Sequence, residues 1–224
     1  MSGYFFRGDA ATELMNLQEK WQEKLQMIYL DPPFFTGKTF YYKQRVGEKG
    51  WRGNTKFVLM HNAYSDQWTD RASFLNMLRQ VLILSHKLLK PEGSLFLHLD
   101  YRFSAHARLL LDEIFGEKNF LNEIIWAYKT GGCAKRHFSR KHDTILFYRK
   151  SDRHYFNPYA VGKPRGYLKR NNMKRQTDDD GRVYWSIRSS GKEYRYYEDS
   201  IIIPSDVWDD ISHLQQKDPE RTGY

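Results

Sequence analysis

Short apolar runs alternate with amphipathic stretches over the first 151 residues of the chain. The short runs are typical of buried strands, and apolar residues spaced three or four positions apart are typical of helices. Because the order strand–helix occurs three times, the pattern predicts an α/β layered sheet. The predicted strands cover residues 3–6, 26–30, 94–100, 122–130 and 143–151, and the predicted helices cover 11–25, 70–90 and 102–116. We expect the last two strands to form an antiparallel hairpin on the edge of the sheet.

Two other parts of the chain depart from this pattern. Residues 34–68 are rich in glycine and polar residues, and such a stretch is too long for a passive connection, so it is either functional or disordered. From residue 152 onward the helical period disappears and Tyr, Arg, Lys and Gly dominate. We expect residues 152–206 to form an insertion of irregular and short β structure. A chain of 224 residues can hold one domain of ordinary size with such an insertion.

The positive charge of the chain is concentrated in one segment. The net charge is +9, and residues 129–195 alone carry 18 Lys and Arg against 6 Asp and Glu. Such a patch favours a polyanion, most simply nucleic acid, while a basic surface without a partner is the alternative. The loop at 129–143 combines five of these cations with two glycines. They are candidates for phosphate contact: Lys129, Lys135, Arg136, Arg140 and Lys141.

The composition disfavours several protein classes. The apolar runs are too short to span a membrane, and the N-terminus lacks the apolar stretch of a signal peptide, so we expect a cytoplasmic protein with no membrane partner. A single cysteine, Cys133, excludes an internal disulfide. Although His137, His142 and Asp143 lie close in the sequence, no cysteine or further ligand at a matching spacing completes a metal-binding pattern. We therefore expect no metal site.

The stretch MIYLDPPFFTG, residues 27–37, ends a predicted strand with an acid, two prolines and two aromatic rings. In an open α/β sheet, ligands lie at the carboxyl ends of the strands. Asp31 is the first residue past such an end, Pro32 and Pro33 stiffen the backbone, and Phe34 offers a flat apolar face. A carboxylate, a carbonyl and a ring together suit a planar group that bears an NH₂, such as a nucleobase. A capped turn with Phe34 in the core is the alternative.

The segment LDPPFFTG resembles the catalytic motif of the DNA amino-methyltransferases, which methylate N6 of adenine or N4 of cytosine. Five further segments are similar, in the same order, to the adenine-specific methyltransferases of type III restriction-modification systems. They are YSDQWTD, SFLNMLRQVLILSHKLLKPEGSLFLHLDYR, LLLDEIFGEKNFLNEIIWAYKTGG, RKHDTILFYRKSDRHYFN and SDVWDDI. The matches cover most of the chain.

The resemblance implies a partial Rossmann-like methyltransferase sheet, S-adenosylmethionine as methyl donor, and a base flipped out of double-stranded DNA. Asp31 and the Pro32 carbonyl would hold the target amine, Pro33 would fix the turn, and Phe34 would stack on the base. An Asp in the first position resembles the adenine enzymes more than the cytosine enzymes, many of which have Ser there. Residues 1–151 would then form the catalytic part, and residues 152–206 the target-recognition region.

The resemblance points less strongly to other positions. Asp9 is similar to a family acid near the cofactor, although a turn before a helix explains it equally well. Asp100 lies at the end of another predicted strand and is a second candidate on the cofactor side. A structural role explains His98 at least as well as a role in the cleft. In the recognition region, the residues of a kind that meets DNA are Tyr184, Trp185, Arg188, Arg195 and Tyr196. A place in the core explains Trp185 equally well.

The family's glycine-rich cofactor turn follows the recognition region, and residues 204–224 contain no such turn. We therefore expect residues 207–224 to lead toward a cofactor half outside this sequence, and the isolated chain to bind S-adenosylmethionine poorly. A second copy of the chain or a restriction subunit is an expected partner. The alternatives are a non-catalytic DNA-binding module, a cytosine-N4 enzyme and an RNA methyltransferase.

Overall fold

A computed structural model describes residues 3–45, 58–129, 132–166 and 172–212 of the chain. The chain divides into two compact units, of which the first contains Met1–Tyr155 and Val207–Tyr224 and the second contains Phe156–Asp206. Within the described ranges, no helix is both long enough and apolar enough to cross a membrane.

The secondary structure contains four α-helices, one short 3₁₀ helix (Glu117–Asn119) and twelve strands in the described ranges. The helices are α1 (Ala10–Trp21), α2 (Arg71–Leu88), α3 (Ser104–Phe115) and α4 (Pro158–Val161). The strands of the first half are β1 (Leu25–Leu30), β2 (Thr39–Arg45), β3 (Val58–Ser65), β4 (Leu89–Leu99), β5 (Phe120–Ala127) and β6 (His142–Arg149). The remaining strands are β7 (Lys163–Pro164), β8 (Lys174–Thr177), β9 (Val183–Ser189), β10 (Lys192–Tyr197), β11 (Ile201–Ile202) and β12 (Val207–Trp208).

The main sheet of the first unit has the strand order β1-β4-β6-β5-β12. Strand β1 is parallel to β4, β6 is antiparallel to both β4 and β5, and β12 is parallel to β5. The α/β class is therefore confirmed, and so is the antiparallel pairing of β5 with β6. The hairpin is not on the edge of the sheet, however, because β12 returns from a distant part of the sequence to cover β5.

The two faces of the sheet are packed differently. Alternate residues of β6 point to opposite faces, as strand geometry requires. Leu146 and Tyr148 join the large core under α2 and α3, whereas Ile145 and Phe147 join a smaller cluster with Ile124. The helices contribute to the large core the buried side chains of Phe74, Leu78, Leu82, Ala107 and Leu111. This core fixes β4 and β6 as the rigid centre of the first unit.

Local signals set the ends of the helices. Asp70 begins α2 with a capping box, because its side chain accepts a hydrogen bond from the Ser73 N–H at 2.7 Å and the Ser73 hydroxyl reaches back. Gly116 ends α3 with φ +86°, a conformation that favours glycine. The predicted helix over 11–25 is shorter in the structure, since α1 ends at Trp21 and Leu25 already begins β1.

The structure overturns one sequence-based expectation of the first unit and adds detail to another. Residues 3–6 form no strand, because no described strand pairs with them, and Tyr4 instead places its ring 6.4 Å from that of Trp21. The stretch 34–68, expected to be functional or disordered, contains two ordered strands, because β2 and β3 pair there in antiparallel fashion.

The second unit consists mainly of short strands. Strands β8, β9 and β10 form an antiparallel sheet in the order β10-β9-β8, and β7 pairs with β11. Met173, Tyr184 and Trp185 supply its buried apolar side chains. Irregular and short β structure was expected for this region, while its role in target recognition stays a proposal.

Candidate functional site

The carboxyl ends of β1, β4 and β5 lie at one edge of the main sheet, where the antiparallel β6 begins. Asp31 directly follows β1, Asp100 directly follows β4, and Asp143 is the second residue of β6. The basic loop between β5 and β6 opens from the same edge. The topology therefore brings together the acidic corner and the basic loop that the sequence places about a hundred residues apart.

The corner after β1 presents a carboxylate next to a partly covered ring. The side chain of Asp31 is 59% exposed, and its Oδ1 lies 3.3 Å from Nδ1 of His98. Pro32, Pro33 and Phe34 are half-buried. The Phe34 ring packs against the core and stands edge-on to the His98 ring, with 5.2 Å between centroids. The Phe34 ring thus anchors the corner to the core, while the Asp31 carboxylate stays open to a ligand.

A second carboxylate, which sequence reasoning missed, holds the next turn of the corner. Asp66 is 1% exposed, and its two oxygens accept hydrogen bonds from the backbone N–H groups of Phe35 and Thr36 at 3.0 and 2.7 Å. The Thr36 hydroxyl and the Trp68 indole N–H donate to the same carboxylate at 2.7 and 2.9 Å. With four donors, this buried charge is well satisfied.

Asp66 stabilises an uncommon backbone conformation. Phe35 has φ +58°, in the left-handed region that bulky residues rarely occupy. Its N–H is held by Asp66, and its ring lies 5.8 Å from Phe74 and 4.8 Å from Phe103. The available sequence signal was the acid one residue past β3, in the segment YSDQWTD.

His98 lies between two acidic side chains at the edge of the sheet. It is 7% exposed; its Nδ1 faces Asp31, and its Nε2 lies 3.5 Å from Oδ2 of Asp143. Burial by itself lowers the pKa of His98, but the carboxylates of Asp143 and Asp31 outweigh burial and raise the pKa to about 9. The ring is therefore an imidazolium at neutral pH.

The two candidates for the cofactor side are both engaged in local structure. Asp9 is the N-cap of α1, where its side chain accepts hydrogen bonds from the N–H and the hydroxyl of Thr12, each at 3.0 Å. Asp100 is buried, and Arg102 contacts both of its oxygens through its backbone N–H and its guanidinium. A cofactor role for Asp100 would require Arg102 to release it.

The basic loop carries exposed cations and an exposed ring. Its predicted phosphate contacts Lys129, Lys135, Arg136 and Arg140 are exposed or partly exposed, and Lys141 is half-buried. The Arg140 guanidinium lies 4.1 Å from the centre of the Tyr101 ring and donates to its hydroxyl at 3.1 Å. Phe138 is 98% exposed. Sequence reasoning missed both aromatic residues, although a phenylalanine among five cations was a visible signal.

Two of the residues weighed as metal ligands, His137 and Asp143, contact different partners. The Asp143 side chain faces His98, and Nδ1 of His137 lies 2.8 Å from the Phe138 carbonyl oxygen. Within the described ranges, no group of three or more His, Cys, Asp or Glu side chains could hold a metal ion.

In the second unit, most residues singled out from the sequence make internal contacts. Tyr184 and Trp185 are buried, and the Trp185 indole N–H donates to Glu198 at 3.2 Å. Arg195 pairs with Glu193 at 3.1 Å. The Tyr196 ring lies 4.6 Å from the guanidinium of Arg165, whereas Arg188 is exposed.

Comparison with known proteins places this site in a family context. A family of DNA methylases matches residues 25–223 of the chain. The type II methyltransferase M.KpnI of Klebsiella pneumoniae is 31% identical over 153 residues, which are 67% of this chain and 33% of that protein. The StyLTI Mod subunit, from a type III restriction-modification enzyme of Salmonella typhimurium, is 31% identical over 132 residues, 56% of this chain and 20% of that subunit.

Among solved structures, the DNA modification methylase TTHA0409 of Thermus thermophilus superposes with a TM-score of 0.48 and 16% identity, covering 92% of this chain and 66% of that one. The chain spans 33% of the length of M.KpnI and 20% of the length of the StyLTI Mod subunit.

Proposed function

The chain belongs to the DNA methylase family, and on that premise we propose that it methylates the exocyclic amine of a base in double-stranded DNA. The observation that carries the proposal is the Asp31 corner. Its carboxylate is open to a ligand at the carboxyl edge of the sheet, while His98 and the buried Asp66 hold the surrounding backbone and side chains. The target base is adenine, at N6, because the corner begins with Asp rather than Ser.

The corner offers the contacts that an amino group requires. The Asp31 carboxylate accepts one N–H of the amine, and the Pro32 carbonyl accepts the other. These two hydrogen bonds direct the nitrogen lone pair away from the corner, so orientation supplies much of the rate enhancement. Phe34 is only half-buried, so part of its ring is available for stacking on the base. A base inside a duplex cannot reach such a corner and must be flipped out.

The methyl donor is S-adenosylmethionine, which supplies an electrophilic methyl group on a sulfonium. The described residues fit the acceptor side of the reaction better than the donor side. Asp9 caps a helix and Asp100 is engaged by Arg102. No two glycines in the 224 residues are spaced two positions apart, as a Gly-x-Gly turn requires. Asp9 and Asp100 remain candidates, and no chemical step is assigned to them.

The basic loop supplies the surface for the DNA backbone. Lys135, Arg136 and Arg140 make no ion pair with a carboxylate among the residues that the structure describes, so their charge is available to phosphates. Because the loop begins and ends at the edge that carries Asp31, it would contact DNA beside the flipped base. The exposed Phe138 suits insertion between bases, as apolar wedges do in other DNA complexes.

The second unit is proposed to read the target sequence. It occupies the chain position of the family's recognition region, and its exposed Arg188 suits a DNA contact. The similarity to a Mod subunit of a type III restriction-modification enzyme supports a restriction subunit as partner. A second copy of the chain is the other candidate partner.

Mapping of methylated bases in a host that lacks its own DNA methylation tests the proposal. The gene is expressed in its native reading frame, host DNA is sequenced with base-resolution detection, and hydrolysed nucleosides are identified by mass spectrometry. We expect N6-methyladenine at one short sequence. N4-methylcytosine would refute the adenine assignment. Methylated nucleosides found in RNA and not in DNA would indicate an RNA enzyme. Confirmed expression without methylation would support a non-catalytic DNA-binding module.

A further inference from the structure

A buried histidine connects the Asp31 corner to the strand that follows the basic loop. His98 lies near the end of β4, Asp31 follows β1, and Asp143 is at the start of β6. The imidazole is 7% exposed, and its two nitrogens lie 3.3 Å from an Asp31 oxygen and 3.5 Å from an Asp143 oxygen. Three neighbouring strands thus contribute one group each to a line of contacts across the sheet edge.

The surroundings of the ring leave these two carboxylates as its polar neighbours. Rings of Tyr29, Phe34 and Trp126 lie around it, with centroids 6.3, 5.2 and 5.7 Å from that of His98. The hydroxyl of Tyr128 lies 3.4 Å from the other oxygen of Asp143, to which it donates. No other charged side chain forms an ion pair with His98 among the described residues. The aromatic rings exclude water and strengthen both electrostatic contacts.

The two contacts of the His98 ring lie at ion-pair distances rather than hydrogen-bond geometry, and both carboxylates favour a protonated ring. A neutral imidazole has one N–H donor and could serve only one of two carboxylates, whereas the imidazolium has a donor on each nitrogen. With both carboxylates ionised and the ring protonated, the group of three carries a net charge of −1. The ring therefore fixes one oxygen of Asp31 and offsets the charge of the second acid.

We propose that His98, held in place by Asp143, is a positioning residue that orients the Asp31 carboxylate toward the target amine. Nδ1 of His98 engages Oδ1 of Asp31, which leaves Oδ2 to accept the N–H of the base. His98 takes up no proton in this role, because both of its nitrogens already carry one. The proposal rests on the proposed function, since it assigns Asp31 to the amine.

The first test is a measurement of protonation that needs no catalysis. The full protein, labelled at its histidine rings, is titrated by NMR, with His98→Gln used to assign the signal and the half-buried His106 as internal comparison. We expect the His98 ring to titrate well above pH 8, and Asp31→Asn and Asp143→Asn each to move the titration to lower pH. Titration of His98 near its ordinary value in the wild type would overturn the proposal.

The second test separates positioning from mere structural support. In methyl-transfer assays, we expect His98→Gln to lower kcat at least about tenfold while KM for DNA stays within about twofold. The decline of the wild-type rate at alkaline pH should be absent from His98→Gln and shifted to lower pH in Asp143→Asn. His106→Gln should match the wild type.

The outcomes distinguish the role of His98 from the proposed function of the protein. An active wild type with an equally active His98→Gln would overturn the role of His98 and leave the proposed function standing. A wild type that transfers no methyl group would overturn the proposed function, and the role of His98 in it. A loss of kcat in His98→Gln without any change in the pH profile would show a structural role only.

Discussion

The two units of the protein arrange their polar side chains in different ways. In the first unit, Asp31, His98 and Asp143 come from three strands and meet at one edge of the sheet. In the second unit, charged side chains form separate pairs, as Arg182 and Asp199 do at 2.8 Å. Side chains that meet from separate strands can act together on one ligand, whereas paired side chains stabilise the β structure to which they belong.

The same contrast holds for the cations. Lys135 and Arg136 of the basic loop are exposed and make no described ion pair with a carboxylate, while Arg175 and Arg195 of the second unit contact Glu198 and Glu193. A high density of Lys and Arg in the sequence therefore does not measure the charge that is available to DNA. Among the described residues, the second unit pairs several of its arginines with carboxylates, whereas Lys135 and Arg136 of the loop have no such pair.

Removal of the buried carboxylate of the first unit should have the largest effect on stability. Asp66→Ala leaves four donors without their acceptor, so we expect the free energy of unfolding to fall by about 3 kcal/mol. Asp70→Ala, which removes an exposed helix cap, is the matched control and should cost about 1 kcal/mol. Urea denaturation measures both. Equal losses would show that the hydrogen bonds of Asp66 are not important for the corner.

Removal of loop charge should weaken DNA binding more than removal of the same charge from the second unit. The triple variant Lys135→Ala, Arg136→Ala, Arg140→Ala should reduce the slope of log Kd against log salt by about 2 to 3 units and weaken binding about 100-fold. The matched control removes three paired arginines of the second unit: Arg175→Ala, Arg182→Ala and Arg195→Ala. Binding titrations at several salt concentrations compare the two. A larger effect of the control would reverse the comparison.

The stability of the first unit should depend on pH through His98. Its pKa is raised from 6.5 to about 9 in the folded protein, so the extra stability is fully present below pH 6.5 and is lost as the pH rises through 9. After allowance for the exposed Asp31 partner, we expect a loss of about 1 to 2 kcal/mol. The difference in unfolding free energy between the wild type and His98→Gln should shrink as the pH rises from 6 to 10. A constant difference would contradict the ion pairs.

The smallest effect concerns the core of the second unit. Trp185→Phe keeps a buried ring and removes the indole N–H that donates to Glu198, which should cost about 1 kcal/mol of stability. DNA affinity should stay within about twofold of the wild type, because the ring is buried. A large loss of affinity without a loss of stability would show that Trp185 contacts DNA.

Much of the first unit is readable from the sequence because its signals are local. The apolar periods predict α2, α3, β4 and β6 nearly in place, and the corner after β1 is evident from Asp31 and the two prolines. The partners of the corner are not readable in the same way. Asp66 and Asp143 become its neighbours only through strand pairing, which depends on residues far apart in the chain.

The residues singled out in the second unit show what residue type alone leaves open. Tyr184, Trp185 and Arg195 are of a kind that binds DNA, but residue type does not say whether a side chain is buried or already paired. The strand predicted at residues 3–6 failed for a related reason. A short apolar run becomes a strand only when a neighbour supplies its hydrogen bonds.

Methyl transfer by Asp31→Ala tests the central claim most directly. The protein is expressed from its native reading frame and assayed with labelled S-adenosylmethionine and a duplex that contains its mapped recognition sequence, in parallel with binding titrations. We predict that kcat falls at least about 1,000-fold while Kd for the duplex stays within about threefold, because Asp31 orients the amine and contacts no phosphate. Methyl transfer by Asp31→Ala at the wild-type rate would contradict the account.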